Sequence, residues 1–355
     1  MKKNLRNILA VGLGLMTTVA FAQDWNVDSR TRIDMGGDND KMETSQRATL
    51  GATWGGTNWG IHGSTVVNYD LESPQNAASL AVYEAYASTD IMGYANLTIG
   101  RQALNYGSGM IIGSNEWGAE RNTRDGMTFG LNLDMADVTV IYASRMDSAT
   151  LTNGSAMMGV NASKSEGDWT ANLLYTSATM TTDDVDGEAM TAMGLDLSYN
   201  MMGGDLALNV GYNTASNGTV DQDMTSIGAT YNVNESMSIS AAQTTYGENG
   251  FGSIYGSNYG SGAGSWMTHG NMGYLNNSDQ MMSIGGTYAM GGLNLGVHMH
   301  TVSNDVDDTY ERNAMEMSVG YDLHDNAALG LKIASDNNGT DTDVNYTWLT
   351  LTVTP

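Results

Sequence analysis

The chain has 355 residues, 39 of them acidic against 14 basic, a formal net charge of −25, with 44 glycines, two prolines and no cysteine. So acidic a surface excludes nucleic acid and anionic lipid as electrostatic partners, and the missing thiols exclude a disulfide framework or a thiolate metal site. Abundant Gly, Thr, Ser, Asn and Tyr with almost no Pro argue for extended β-structure, because a disordered chain of this charge carries more Pro and Lys and fewer aromatics.

Residues 1–22 read as a cleaved secretory leader: Lys2, Lys3 and Arg6 precede the apolar run "ILAVGLGLMTTVAF", and Ala20-Phe21-Ala22 supplies a small-x-small site before Gln23. The run is short of the roughly 20 residues a membrane helix needs, and no later segment approaches that length. Without the leader, eleven basic residues face 39 acidic ones.

From Asp24 onward the hydrophobic period is two. "WNVDSRTRID" places Trp25, Val27 and Ile33 on one face and Asn26, Asp28, Arg30, Arg32 and Asp34 on the other. "RATLGATW" sets Leu50 and Trp54 against Arg47 and Thr49, and "WGIHGSTVVNY" sets Ile61, Val67 and Tyr69 against His62, Ser64 and Asn68. "MTFGLNL" repeats the pattern with Met127, Phe129, Leu131 and Leu133. Short turns such as "GGTN", "DIMG", "DMAD" and "LHDN" alternate with longer polar loops such as "LESPQNAAS", "TTDDVDGEA" and "VSNDVDDTYER". Counting both kinds predicts one domain over 23–355: an antiparallel transmembrane β-barrel of about 18 strands, or 16 at the lower bound, with both termini on the short-turn side. A secreted sandwich, solenoid or adhesin is the competing all-β reading. Against it stand the aromatics at strand ends (Trp25, Trp54, Trp59, Tyr94, Trp169, Tyr199, Tyr231, Tyr288) and the charges in mid-strand opposite the apolar face, which suit an interfacial girdle and a wet lumen.

The segment "VYEAYASTDIMGYANLTIGRQALNYGSGMIIGSNEWGAERNTRDGMTFGLNL" resembles the porins related to the alginate-export channel, in which a "YEAW"-like strand precedes a "GRQ.L.YG" stretch with later Trp, Arg and Asp; the upstream "SRTRID" and "SQRATLG" fit as well. The resemblance covers about the first third of the chain. It implies an arginine-lined pore in a Gram-negative outer membrane, passing anionic oligosaccharides or similar small solutes by diffusion. It also implies contact with outer-membrane lipid and lipopolysaccharide, no nucleic acid, and a monomer or trimer. The residues support part of this independently. Eight of the eleven basic residues beyond the leader lie between positions 30 and 145, whereas three basic and 24 acidic residues follow position 145.

Parity predicts that Arg30, Arg32, Arg47, Arg124 and Arg145 point into the lumen, since a charge on the lipid face at mid-depth costs about 2–4 kcal/mol. Arg101 falls by parity with Leu97 and Ile99, so it reaches the lumen only if a bulge at Gly100 re-aims it. Alternatively the arginines pair with Asp28, Asp34, Glu84 and Asp125 and stiffen the wall. Residues 102–124 follow the fifth strand, and in general porins the loop there folds inward. Tyr106, Met110, Ile111, Ile112 and Trp117 are suited to pack such a loop on the wall, leaving Glu116, Glu120 and Arg121 at the opening. The expected pore-lining set is therefore Arg30, Arg32, Arg47, Glu84, Arg101, Tyr106, Glu116, Glu120, Arg121, Arg124 and Arg145, with a preference for anions because carboxylates in distant loops are screened within roughly 8 Å.

No cofactor is expected. Acidic pairs in the loops, chiefly Asp305, Asp307 and Asp308, are weak Ca²⁺ candidates without the full calcium-loop spacing. His298 and His300 share a strand face but lack a third metal ligand. The five histidines show no Ser–His–Asp arrangement, so enzymatic activity is not expected. The alternative to a channel is a non-transporting adhesin or receptor barrel.

Overall fold

The computed structural model describes residues 24–36, 39–71, 78–118, 121–146, 154–182, 185–252 and 275–354; side chains at 39–41, 145–146 and 154 are not described. The leader lies outside these residues, as do Glu120 and the Gly/Ser/Tyr-rich stretch 253–274.

The strands are β1 (Asp24–Gly36), β2 (Asn39–Gly56), β3 (Trp59–Asp70), β4 (Ala78–Ile91), β5 (Ala95–Gln102) and β6 (Arg124–Leu133). There follow β7 (Ala136–Met146), β8 (Gly154–Glu166), β9 (Trp169–Thr182), the two-residue β10 (Val185–Asp186), β11 (Met190–Met201), β12 (Leu206–Ser216) and β13 (Asp221–Asn234). The series ends with β14 (Met237–Tyr246), β15 (Asp279–Met290), β16 (Leu293–Asn304), β17 (Glu311–His324), β18 (Ala327–Asp336) and β19 (Val344–Val353). Each long strand pairs antiparallel with its sequence neighbours, and β1 pairs with both β2 and β19, which closes the ring. Setting the two-residue β10 aside leaves 18 wall strands, as the turn count predicts. No helix among the described residues is long and apolar enough to cross a membrane. Strands make the crossing, and closure leaves no unpaired edge in hydrocarbon.

Alternation fixes the two surfaces. Ile61, Ile99, Met158, Ile227, Ile284, Met299 and Met317 face outward as an exposed apolar belt, with Trp59, Tyr94, Trp169, Tyr199, Tyr288 and Tyr321 at its short-turn end, where aromatic side chains match the headgroup layer. Methionines such as Met158, Met299 and Met317 take aliphatic positions in this belt. Inside, the short-turn half of the wall carries small polar side chains: Asn209 lies beside Ser198, and Ser238 beside Thr287. In the other half, inward Ile141, Leu174, Ala192, Met224, Met281 and Val302 form an apolar lining across β7–β16.

One irregularity shapes the site. Between β3 and β4, Ser64 pairs with Glu84 while Thr65 pairs with Val82, so Tyr83 is an extra residue. This bulge turns Tyr83 inward beside Glu84 and breaks the strict alternation.

Replacing outward, mid-strand Ile284 by Arg is expected to lower stability by about 2–4 kcal/mol, while Arg at inward Ser240 has a much smaller effect. Denaturant titration of the barrel refolded in bilayers checks this; equal losses at both positions contradict the assignment of faces.

Candidate functional site

The connection between β5 and β6 enters the barrel instead of standing above it. Its root is tied to the wall where the Ala103 amide donates to Glu84 Oε1 at 3.0 Å; Glu84 in turn meets His62 Nε2 at 3.7 Å. The chain then reaches β11, where the Ser108 amide donates to Asp196 Oδ2 at 2.9 Å. Gly107 sits there at φ +56°, and a Cβ on it would lie 2.1 Å from the same carboxylate oxygen, so the approach requires glycine. Ile111 and Ile112, each 1% exposed, sink into the apolar lining, with Leu104, Tyr106 and Met110 packed around them. Burial pushes the Tyr106 hydroxyl up to about 12, so it stays neutral and adds no charge to the loop.

The loop next turns toward β1 and β2, where arginines hold its backbone. Arg30 donates at 2.9 Å to the carbonyl oxygens of Glu116, Trp117 and Gly118. Arg32 donates to Trp117 O at 2.9 Å, and Arg47 to Glu116 O and Gly118 O at 3.1 and 3.2 Å. Three successive carbonyls thus receive a fan of guanidinium N–H donors, for which the rigid, multidonor arginine head is suited. The Arg32 guanidinium also lies 3.6 Å from the centroid of the Trp117 ring, a cation–π contact. On its far side Trp117 meets Trp348 of β19 edge-on at 6.0 Å.

Arg121, on the returning limb, completes a bank of four guanidiniums. It covers the Tyr83 ring at 3.6 Å, donates to Thr49 Oγ1, and lies 3.7 Å from both Asp28 and Glu116. Glu116 also lies 3.6 Å from Arg47. The side chains of Arg47 and Arg121 are 9% and 7% exposed, whereas that of Glu116 is 58% exposed. The arginines therefore sit between wall and loop, and the carboxylate is the charge that meets water directly.

The other expected residues fall in separate places. Arg124 begins β6 paired with the buried Gln102, on the inward face. Arg145 belongs to β7, with its side chain outside the described residues. Arg101 departs from its expected role as a pore-lining group. No register shift occurs in β5 at Gly100; Arg101 stays opposite Asp125 and Ala85 on the same face as the exposed Ile99 and Met127, so it points outward. It forms a bidentate pair with Asp125 at 2.6 and 2.7 Å. Such a pair allows a charge to sit on the outer face at the loop end of the wall, away from mid-membrane depth.

In the outer loops, Asp307 Oδ1 accepts the amide and hydroxyl of Thr309, which hold its carboxyl below the usual range. Among the described residues no group of three or more His, Cys, Asp or Glu is placed to hold a metal ion.

A second ionic cluster escaped the sequence reading. On β15–β18, Ser283 Oγ meets His300 Nδ1 at 2.8 Å, His300 Nε2 lies 3.5 Å from Glu316, and Glu316 contacts Lys332 closely. Above it, buried Arg312 pairs bidentately with Asp336. A signal was present: Glu316 and Lys332 sit mid-strand and Arg312 near the start of β17, each opposite an apolar face, although they lie far from the basic region.

Six donor contacts hold residues 116–118, and hydrogen bonds to charged groups are worth about 1.5–3 kcal/mol each. Alanine at Arg30, Arg32 or Arg47, or at Asp196 on the far anchor, is expected to loosen the loop, raising single-channel current noise and the size limit for sugars in liposome swelling. Unchanged noise and size limit in all four variants contradict the clamp.

Comparison with known proteins supports the same architecture. The structure of Pseudomonas aeruginosa OpdK with vanillate aligns with a TM-score of 0.73 at 14% identity, covering 94% of this chain and 99% of that one. P. aeruginosa OccK5 (OpdH) aligns at 0.68 with 13% identity, 94% and 98% covered, and Acinetobacter baumannii OccAB3 at 0.65 with 13% identity, 94% and 99% covered. At this identity the likeness is one of fold. No curated protein matches the sequence. A family profile described as Gram-negative porin matches residues 9–341. The chain is therefore a member of the Gram-negative porins, with an 18-strand barrel and an inward loop that suit a channel of the outer membrane.

Proposed function

We propose that this porin is a passive diffusion channel for small hydrophilic solutes that favours anions. The observation that carries the reading is the bank of Arg30, Arg32, Arg47 and Arg121, faced within salt-bridge distance by Asp28 and Glu116, with Asp34 acting on Arg32, so that four cations meet three carboxylates. Carbonyl hydrogen bonds solvate the guanidiniums without cancelling their charge, which leaves an excess of positive charge where the loop crosses the lumen. Burial keeps that excess weakly screened, whereas exposed charges more than a Debye length away, roughly 8 Å at physiological salt, contribute little. The strongly negative net charge therefore acts at the outer mouth, and the arginine bank acts in the throat.

The solute class follows from charge and from likeness. Small carboxylates fit, and OpdK, which shares the fold, has been solved with vanillate. The resemblance of residues 82–133 to the alginate-export porins adds anionic oligosaccharides as a second candidate. Transport is passive in this reading, and the protein carries out no chemistry on its solute.

Reversal potentials across a KCl gradient in planar bilayers test the reading. The wild type is expected to favour Cl⁻, with Glu116→Gln raising that preference and Arg47→Ala lowering it. A wild-type channel that favours K⁺ overturns it.

A further inference from the structure

On the short-turn side of Trp117 the lumen widens into a chamber of about 530 Å³. Its wall is recessed because Gly296, Gly320 and Gly330 occupy inward positions on neighbouring strands. Its lining includes Trp117, His298, Lys332, Asn294 and Ser318, with Trp348, itself fully buried, packed edge-on against Trp117. We propose that this chamber is a solute-binding subsite, and that its ligand is a small anion with a planar apolar part, a monocyclic carboxylate being the class that fits. This rests on the reading of the protein as an anion-favouring channel and gives that reading a site on the periplasmic side of the loop.

Three features point to that class. The lining contains Lys332 and His298 but neither Asp nor Glu. Glu316, the partner of Lys332, is 6% exposed and also lies against His300, so the cation rather than the carboxylate faces the chamber. Glu316 fixes the ammonium in place, which lowers the entropy lost when a ligand binds it. His298 is held as well: its ring lies on Gly285, where a Cβ would come within 2.1 Å of Nδ1, and it stacks on His300.

The second feature is the aromatic surface. Trp117 supplies it, backed edge-on by the fully buried Trp348 at 85°, and Lys332 Nζ lies 5.9 Å from the Trp117 centroid. A ring packed on Trp117 brings a carboxylate one bond away toward the ammonium of Lys332. The third is an unused donor: the buried indole N–H of Trp117 has no hydrogen-bond acceptor among the described residues, and a bound carboxylate oxygen supplies one. A volume of this size lies within the range of small-ligand pockets, about 300–1,000 Å³. A solute that has passed the arginine bank meets the chamber next on its way to the periplasm.

The test measures current block of the full-length protein in planar bilayers, with solute on both sides. Benzoate is expected to reduce the current saturably, and acetate (charge without ring), benzyl alcohol (ring without charge) and glucose to need at least about tenfold higher concentration. Trp117→Leu, and the double variant Glu316→Gln/Lys332→Met, which avoids leaving a buried carboxylate alone, are each expected to weaken benzoate block by at least about tenfold. Trp117→Leu leaves the barrel wall intact, so the test stands even if the double variant does not assemble. Equal block by benzoate and acetate, stronger block by glucose, or wild-type benzoate block in Trp117→Leu each overturn the subsite. The KCl reversal potential of the same membranes separates the two readings. K⁺ preference with ring-dependent benzoate block retained removes the anion-favouring throat and leaves the subsite; Cl⁻ preference without such block removes the subsite alone.

Discussion

The controlling constraint is that hydrocarbon cannot hydrogen-bond a peptide group. Every strand in the membrane must find two partners, so the pairing of β1 with β19 is a condition of the whole structure and not a detail of its seam. Closure sets the rest. With one face of each strand committed to lipid, every polar side chain in mid-strand must turn inward, and the lumen collects the charges that a soluble protein would scatter over its surface. A channel of low dielectric walls containing concentrated charge then follows from the fold before any solute is considered.

Concentrated charge needs partners, and the lumen supplies two kinds. Arg312 and Asp336 neutralise one another as a buried pair, while Lys332, held by the buried Glu316, lines the chamber beside Trp117. Arg30, Arg32 and Arg47 bond mainly to carbonyl oxygens of the inward loop through their terminal nitrogens, which solvates the guanidinium heads while preserving their charge. The difference decides what each group does for permeation. A neutral pair stiffens the wall; a carbonyl-bound guanidinium both positions the loop and keeps a field in the throat. Lysine, whose three N–H donors radiate from one nitrogen, would not span three successive carbonyls in this way.

Much of this was legible in the sequence. Strict alternation in "WNVDSRTRID" and "RATLGATW" assigned Arg30, Arg32 and Arg47 to the lumen because one apolar face leaves no other choice. The apolar "MII" run in a loop signalled a segment folded onto protein, and Ile111 and Ile112 are among the most buried residues of the chain. What failed did so where alternation fails. The bulge at Tyr83 lies on β4, and no residue pattern in "VYEAY" announces it. Arg101, which a bulge at Gly100 would have turned inward, stays outward because its register partner Asp125 satisfies it there. Long-range partners were also hidden. That Trp117 would rest between Arg32 and Trp348 depends on the ring closing residue 32 onto residue 350, a contact that local periodicity does not encode.

The two halves of the lumen differ in a way that bears on selectivity. Across β7–β16 the loop side is packed with Ile111, Ile112, Ile141, Met224 and Val302, while β15–β19 and β1–β4 carry the ionic groups. The inward loop is thus glued by apolar contact on one side and by charge on the other. Apolar packing is non-directional and is not weakened by charge screening; exposed ionic contacts weaken with ionic strength. The arginine–carbonyl contacts are buried between loop and wall, and that burial keeps the ionic side of the loop in place while leaving the exposed Glu116 to respond to the bathing salt. In the proposed channel the arginines, which hold the loop backbone, bear on both pore size and charge preference, whereas the exposed Glu116 carboxylate bears on charge alone, so that charge preference can change while the loop stays in place.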